Sequence, residues 1–575
     1  MNQTRRQETN RGLRFLLLLA ALVGLNILGS GFHARMDLTA EKRFTLSPGT
    51  RDLLRHLHGV VHIRVFLKGK FPPGFKQLSI STRELLEEFR QFAGTHLDYD
   101  FIEPGEGLPD SSRTQVYDSL VTHGLQPYNL QVQLEASEGY SEHLIFPGAL
   151  VYDQGREVPV DLLQAGGALN PMEALNTAGA LLEYRFAHAI YTLEEQHRPR
   201  IGYMLGNGEP LGPEVLDALT IIQQNYQLDT IDLSGDPYIP PQFSAVLFLG
   251  PQIRFSDSEK IRIDQYVMHG GKILWFLNQV NASMDSLRDK NSFIAFDKGL
   301  NLEDLLFTYG VRINPDLLQD LQCDVIPLTV GSQGGKPQIQ MVRWPYFPLL
   351  YPAGDHPIVK NLDPVRCEFL SSLDTIAAPG IRKTILLATS AYSRSLGTPS
   401  RVSWESVKLA PRPQDFGRHG IAVAVLLEGR FSSPYRDRFS PQTILALDST
   451  LPAPFRSESP ETQMIVASSA SLITNAVTQK EGSLPMGMNP YTHYQFANRE
   501  FFANCLEYLA GNTAILAARS KDFRLRLLDH TRVTSEKLRW QMINLVVPIL
   551  AVLFMALFLQ AIRRYRFARR TRLPG

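Results

Sequence analysis

Residues 542–562 run for 21 positions without a formal charge, MINLVVPILAVLFMALFLQAI. Few folds accommodate such a run. A helix of this length rises about 1.5 Å per residue and spans about 30 Å, the hydrocarbon thickness of a bilayer, where it satisfies its own backbone hydrogen bonds. Trp540 stands at one edge, where an indole sits well among lipid headgroups. Arg563, Arg564, Arg566, Arg569, Arg570 and Arg572 follow directly, a collar expected to stay on the cytoplasmic side against the lipid surface. Pro548 predicts a kink. A buried helix of a soluble core fits neither the length nor the collar. Residues 541–562 therefore read as a transmembrane helix and 563–575 as a basic cytoplasmic tail.

The start of the chain repeats this logic. Arg5, Arg6, Arg11 and Arg14 precede FLLLLAALVGLNILGSGF at 15–32. A cleaved signal peptide is the alternative. The length of the run and the lack of a clear A-x-A site before His33 favour an uncleaved anchor at 13–32 behind a cytoplasmic tail at 1–12. Two basic flanks inside would place 33–540 outside the cytoplasm, although seven Lys/Arg within 519–539 weaken the asymmetry across the second span. The net charge is +1; residues 1–32 carry +3 and 563–575 carry +6, which leaves −8 between them. A mildly acidic body without a basic, aromatic-laced face argues against nucleic acid. At 575 residues it needs more than one core. The three cysteines, Cys323, Cys367 and Cys505, cannot all pair and form no C-x-x-C, so neither a disulfide framework nor a cysteine zinc site is expected.

Between the spans the periodicities predict a small α/β domain at 37–165. Ser47-Pro48 is a helix start, 60–67 and 97–102 are strands, and Ser81 with Glu84 reads as a capping box. His56, His58 and His62 have ligand-like spacing but straddle a helix end, a turn and a strand, so their rings need not converge. A bridging helix is expected at 171–196. Strands at 200–205, 228–233, 245–249 and 272–277 then alternate with helices at 213–225 and 256–269, the latter capped by Ser256 and Glu259. That alternation predicts a doubly wound parallel sheet over 198–300, resumed at 460–512 by a strand at 463–467 and a helix at 499–509. Cys505 lies on that helix's apolar stripe. The irregular stretch 301–459 reads as an inserted α+β subdomain, and 515–540 as a juxtamembrane amphipathic segment.

Tests for chemistry are mostly negative. GSQGGK at 331–336 has the wrong spacing for a phosphate-cradling Walker A loop, and Pro337 replaces the hydroxyl that would hold magnesium. Gly206-Asn207-Gly208 with Gly212 is one residue long for a dinucleotide fingerprint. No G-x-S-x-G or H-E-x-x-H occurs. The elbow after 272–277 offers Asn278 and Gln279 where an amidotransferase-like enzyme would carry cysteine. No catalytic residue, metal ligand or cofactor is assigned. Asn207, Gly208, Glu209, Asn278 and Asn475 remain as loop candidates for a small ligand.

DLTAEKRFTLSPGTRDLL, FPPGFKQLSISTRELLEEFR, FSDSEKIRIDQYVMHGGKILWFLN, FPLLYPAGDHPIVKNLDPVRCEF, LLEGRFSSPYRDR, YTHYQFANREFFANCLEYLAGN and ARSKDFRLRLLD together resemble the GldG family, accessory subunits of a gliding-motility-associated ABC transporter. The chain departs from it where GNGEP replaces a GHGE-like turn and where 468–475 lacks an acidic residue. The resemblance implies a non-enzymatic, two-span protein of the bacterial inner membrane with a periplasmic body and cytoplasmic termini. It also implies a central domain similar to flavodoxin-like, inactive glutamine-amidotransferase-like modules. Its partners would be a separate ABC ATPase subunit and a multi-span permease subunit. A membrane-tethered amidotransferase-like hydrolase and an envelope scaffold are the competing readings.

Overall fold

Ser47-Pro48 starts the first described helix, α1 (Pro48–Arg55): the Ser47 hydroxyl accepts from the Thr50 amide, and proline fills the first turn where its missing N–H is not needed. The computed structural model describes residues 45–568 except 70, 134–139, 164–170, 196–197, 289, 334–335, 409–410, 450, 452, 512 and 521–529. It divides into two units, 1–523 and 524–575. The expected anchor at 13–32 with Arg5, Arg6, Arg11 and Arg14, and the tail residues Arg569, Arg570 and Arg572, lie outside the described residues.

Strands β1 (Val61–Val65) and β2 (Leu97–Phe101) pair in parallel across the helix α2 (Pro73–Ala93). β3 (Gly148–Asp153) and β4 (Arg156–Asp161) complete a sheet of order β2-β1-β3-β4. The helix begins at Pro73, not at a capping box of Ser81 and Glu84, because Pro72-Pro73 presets the first turn and Phe75 and Leu78 already face the core. The three histidines take separate partners: His56 meets Asp52, His58 meets Glu194, and His62 lies between Asp98 and Asp100.

Helix α3 (Pro171–Glu194) leads into the large sheet. Five strands there are parallel: β5 (Arg200–Leu205), β6 (Gln227–Asp232), β7 (Ala245–Leu249), β8 (Ile273–Phe276) and, far along the chain, a strand at Glu458–Ala467. Four antiparallel strands precede that last one in sequence: β9 (Cys323–Gln333), β10 (Lys336–Pro352), β11 (Ile381–Ala388) and β12 (Ala422–Ser432). With Glu458–Ala467 as β13, the order is β9-β10-β11-β12-β13-β8-β7-β5-β6, and Val365–Arg366 adds a tenth strand on β10. Within 301–459, expected as an inserted α+β subdomain, the strands β9–β12 thus extend the same sheet, while Leu317, Ile326, Trp344, Phe347, Phe369 and Val402 gather in a core of their own and other short strands pair in small separate sheets. β13 would otherwise expose an unpaired edge, and β12 covers it from Ala424↔Ala467 to Ser432↔Glu458.

Side chains alternate between two cores. Ile201, Tyr203, Leu274, Phe276 and Ile465 pack against α4 (Leu216–Asn225) and a late helix at Asn498–Ala510, whose Cys505 is part of that core. Met204, Phe248, Trp275 and Val466 face α5 (Asp257–Met268) and α6 (Glu303–Tyr309), with Trp275 stacked on Phe248 at 4.1 Å between ring centroids. Ser256 and Glu259 form the capping box read from sequence at the start of α5. The late helix is α7 (Asn498–Ala510), and two short turns, Thr513–Leu516 and Ala517–Ser520, follow it.

The second unit contains α8 (His530–Ala568), with Pro548 inside it. Its segment Arg539–Tyr565 contains an 18-residue stretch of mean hydropathy 2.7, none of it buried, so one described helix is long and apolar enough to cross a membrane. Trp540 is exposed and donates to Glu536 at 3.0 Å.

Asp264 on α5 ties the second core together. Its Oδ1 accepts from the Tyr309 hydroxyl at 2.8 Å, and its Oδ2 from Ser433 at 2.7 Å and Gln265 at 2.9 Å. Burial nevertheless pushes its carboxyl up to about 6. The folded state then holds this proton more tightly than the unfolded chain, so the stabilising effect is complete below the unfolded value of about 3.9 and is lost as pH rises through the folded one. Asp264→Asn should exceed the parent in stability by on the order of 1–3 kcal/mol above about pH 6. The gap should close toward about pH 4, read by urea denaturation across that range.

Candidate functional site

Helices cover both faces of the parallel strands, so a ligand reaches the sheet at its ends. In open α/β sheets that place is the carboxyl edge where strand order reverses, here between β5 and β7. The loop leaving β5 turns through Gly206 (φ 115°) and Gly208 (φ 79°), left-handed conformations that favour glycine. A Cβ on Gly208 would stand 3.1 Å from the Cβ of Gln252 on the next loop. That approach lets the Asn207 carbonyl accept from the amides of Gln252 and Ile253, both at 2.8 Å.

The side chains read as ligand candidates turn inward and fasten loops. Asn207 is buried, its amide N–H donates to Glu209 Oε2 at 2.8 Å, and its Nδ2 reaches Glu259 Oε2 at 3.5 Å. Burial pushes the Glu209 carboxyl up to about 7, with Glu259 and Asp232 adding to the rise against backbone hydrogen bonds that lower it. Asn278 accepts from the Ala470 amide at 2.8 Å and from Ser469 Oγ at 3.3 Å, joining the loops after β8 and β13. Asn475 donates to the Pro213 carbonyl at 2.8 Å and accepts from the Asp217 amide at 3.3 Å, holding the start of α4. Asn207, Gly208 and Glu209 are therefore together, while Asn278 and Asn475 serve separate staples.

A cleft of about 530 Å³ opens beside β8 instead, between Gln279, α6 and the segment around Arg312 and Arg438. Its carboxylates are already engaged. Buried Gln279 donates through Nε2 to Asp297 at 2.9 Å and Glu303 at 3.2 Å, and Lys260 holds Asp304 at 2.9 Å. Arg312 and Arg438 have no side-chain hydrogen bond among the described residues, and Leu302, Leu306, Phe307, Ile313 and Pro315 supply an apolar wall. Next to Asp297, Lys298 donates to Gln252 Oε1 at 2.6 Å, and burial pushes its ammonium down to about 8. The arrangement suits a ligand with an anionic group and an apolar stretch. Sequence reasoning met Gln279 only beside Asn278 at an elbow without a nucleophile, and singled out none of Asp297, Lys298, Glu303, Arg312 and Arg438. Asp297 ends a strand and Glu303 opens α6, but no local pattern marks them as lining a cleft that the fold assembles beside β8.

The thiols do not supply a nucleophile. Burial pushes Cys323 up to about 12 and Cys367 up to about 11, and Cys505 well above its usual value. Cys367 meets Ser471 Oγ at 3.1 Å and the Glu368 carbonyl at 3.9 Å, with no imidazole beside it among the described contacts. An activated cysteine needs the opposite environment.

Gln279→Ala should cost about 1–3 kcal/mol, because it leaves two neighbouring carboxylates without their shared donor. Arg312→Ala and Arg438→Ala, both at exposed positions, should change stability by less than about 0.5 kcal/mol. Chemical denaturation of the three variants checks this contrast.

Residues 198–505, which span the large sheet through most of α7, match the family described as ABC-type uncharacterized transport system. Residues 40–152 match a domain family of unknown function. No curated protein matches the chain. Among solved structures, the mmIFT52 N-terminal domain aligns at 12% identity over 54% of this chain and 96% of its own, with a TM-score of 0.29, a likeness too low to carry an argument. The family match covers more than half of the 575 residues, and the chain belongs to this family as an auxiliary component of an ABC-type transport system.

Proposed function

We propose that the chain is a non-catalytic, membrane-anchored accessory subunit that works with a separate ABC ATPase subunit and a multi-span permease subunit. It is anchored at both ends in a bacterial inner membrane, with a periplasmic body and cytoplasmic termini. The body binds a substrate or partner and passes the ATPase cycle through the terminal helices. The family match carries this reading, because it runs through the whole sheet that frames the cleft. The inaccessible, unactivated thiols support the non-catalytic part. The strand order β6-β5-β7-β8-β13 supports a flavodoxin-like module resembling inactive glutamine amidotransferases. The basic collar after the apolar run 542–562 supports the orientation. Within the family, the quoted segments favour a system of the GldG, gliding-motility-associated kind. The cleft beside Gln279 is the place offered to a ligand, with Arg312 and Arg438 taking its anionic end.

Full-length protein drawn from native membranes in mild detergent should bring down an ATPase chain and a multi-span permease in fixed ratio. Recovery of other envelope proteins without these two would sink the transporter reading and leave a scaffold as the better account.

A further inference from the structure

Three consecutive residues of α3 hold three different parts of the first unit. Glu183 Oε1 accepts from the Ser47 amide at 2.6 Å, at the start of the described chain. Arg185 donates to the Asp161 carbonyl at 2.7 Å, at the end of β4. Tyr184 lies under the guanidinium of Arg519, whose central carbon is 4.9 Å from the ring centroid. Arg519 belongs to the turns 513–520, the last described part of this unit before the sequence runs on to α8.

These turns are held by two opposing terms. Ile515, Leu516 and Ala518 are fully buried, and Gly49 of α1 approaches so closely that a Cβ there would lie 2.5 Å from the Ala514 carbonyl oxygen. Such burial favours the docked position. Arg519 opposes it. The residue is 4% exposed, yet among the described residues its Nε and Nη2 find no acceptor, and Nη2 stands 4.0 Å from Glu500, the limit of an ion pair. Burial also pushes the Glu500 carboxyl up to about 7, with Asp363 and Asp161 raising it against Arg519 and Arg185. A buried guanidinium without full pairing forfeits hydration that it regains in water.

We propose that residues 513–520 form a releasable strap, docked on α1 and α3 by apolar side chains and biased toward release by the under-paired Arg519. The strap is where the body's hold on the chain leading to the membrane helix can be loosened without unfolding the sheet. This inference stands on the junction alone and does not depend on which chains the protein assembles with.

Hydrogen exchange of the full-length protein in detergent micelles tests it, read on peptides covering 513–520 and, as a reference, 61–65. Arg519→Met keeps a long side chain over Tyr184 and removes the unpaired donors, so exchange at 513–520 should slow by about tenfold. Leu516→Ala should speed it by about tenfold or more while 61–65 stays unchanged, the behaviour of a segment that opens on its own. If Arg519→Met leaves exchange unchanged or speeds it, Arg519 is an ordinary structural anchor and the strap is refuted. Equal acceleration of both peptides in Leu516→Ala would likewise refute it, since the turns would then open only with the whole body.

Discussion

The backbone pairing of β13 is the constraint on which the large sheet depends. One edge runs parallel to β8, from Ile273↔Met464 to Phe276↔Ala467. The other runs antiparallel to β12. Over 464–467 the strand is buried on both faces and paired on both edges, which leaves no N–H or C=O there to water, so both halves of the sheet must form together. Residues 273–276 and 464–467 stand 191 positions apart, which makes their pairing a long-range event in the chain.

At the carboxyl edge of this sheet, polar groups fasten the loops to one another. The loops after β5 and β7 are joined through the Asn207 carbonyl, and those after β8 and β13 through Asn278. Polar side chains that would suit a ligand are used to satisfy neighbouring backbone groups, which otherwise would be buried unpaired. A cleft opens beyond Gln279, where the chain from the antiparallel half brings Arg312 and Arg438 beside α6. Here one amide neutralises the approach of two carboxylates, and the arginines are left to solvent or a ligand.

α3 has the corresponding role for the small sheet and the two ends of the described body. Its Glu183, Tyr184 and Arg185 receive the first described turn, the strap and the last strand of the small sheet. Polar contacts of this kind specify a unique arrangement more than they add stability, because desolvation offsets most of their attraction. The apolar side chains between them, Leu54, Ile515 and Leu516, supply the net stabilisation.

Local features were legible in the chain by itself. The apolar run at 542–562 marked a helix long enough to cross a membrane, since a helix satisfies its own backbone hydrogen bonds. Ser47-Pro48 and Ser256 with Glu259 marked helix starts because a cap acts over three residues. The apolar run at 272–277 marked a buried strand by composition alone. Where several signals competed over a short distance the reading slipped: Ser81 and Glu84 imitated a cap inside a helix that Pro73 had already begun. Tertiary structure decided the rest. It joined the strands β9–β12 of 301–459 to the sheet, turned Asn207 and Glu209 inward, and assembled the cleft from Gln279, Glu303, Arg312 and Arg438. It also set Arg519 against Tyr184, 335 positions away. Each depends on contacts between residues distant in sequence, whose free energy arises only when the intervening chain has folded, so no local pattern records them.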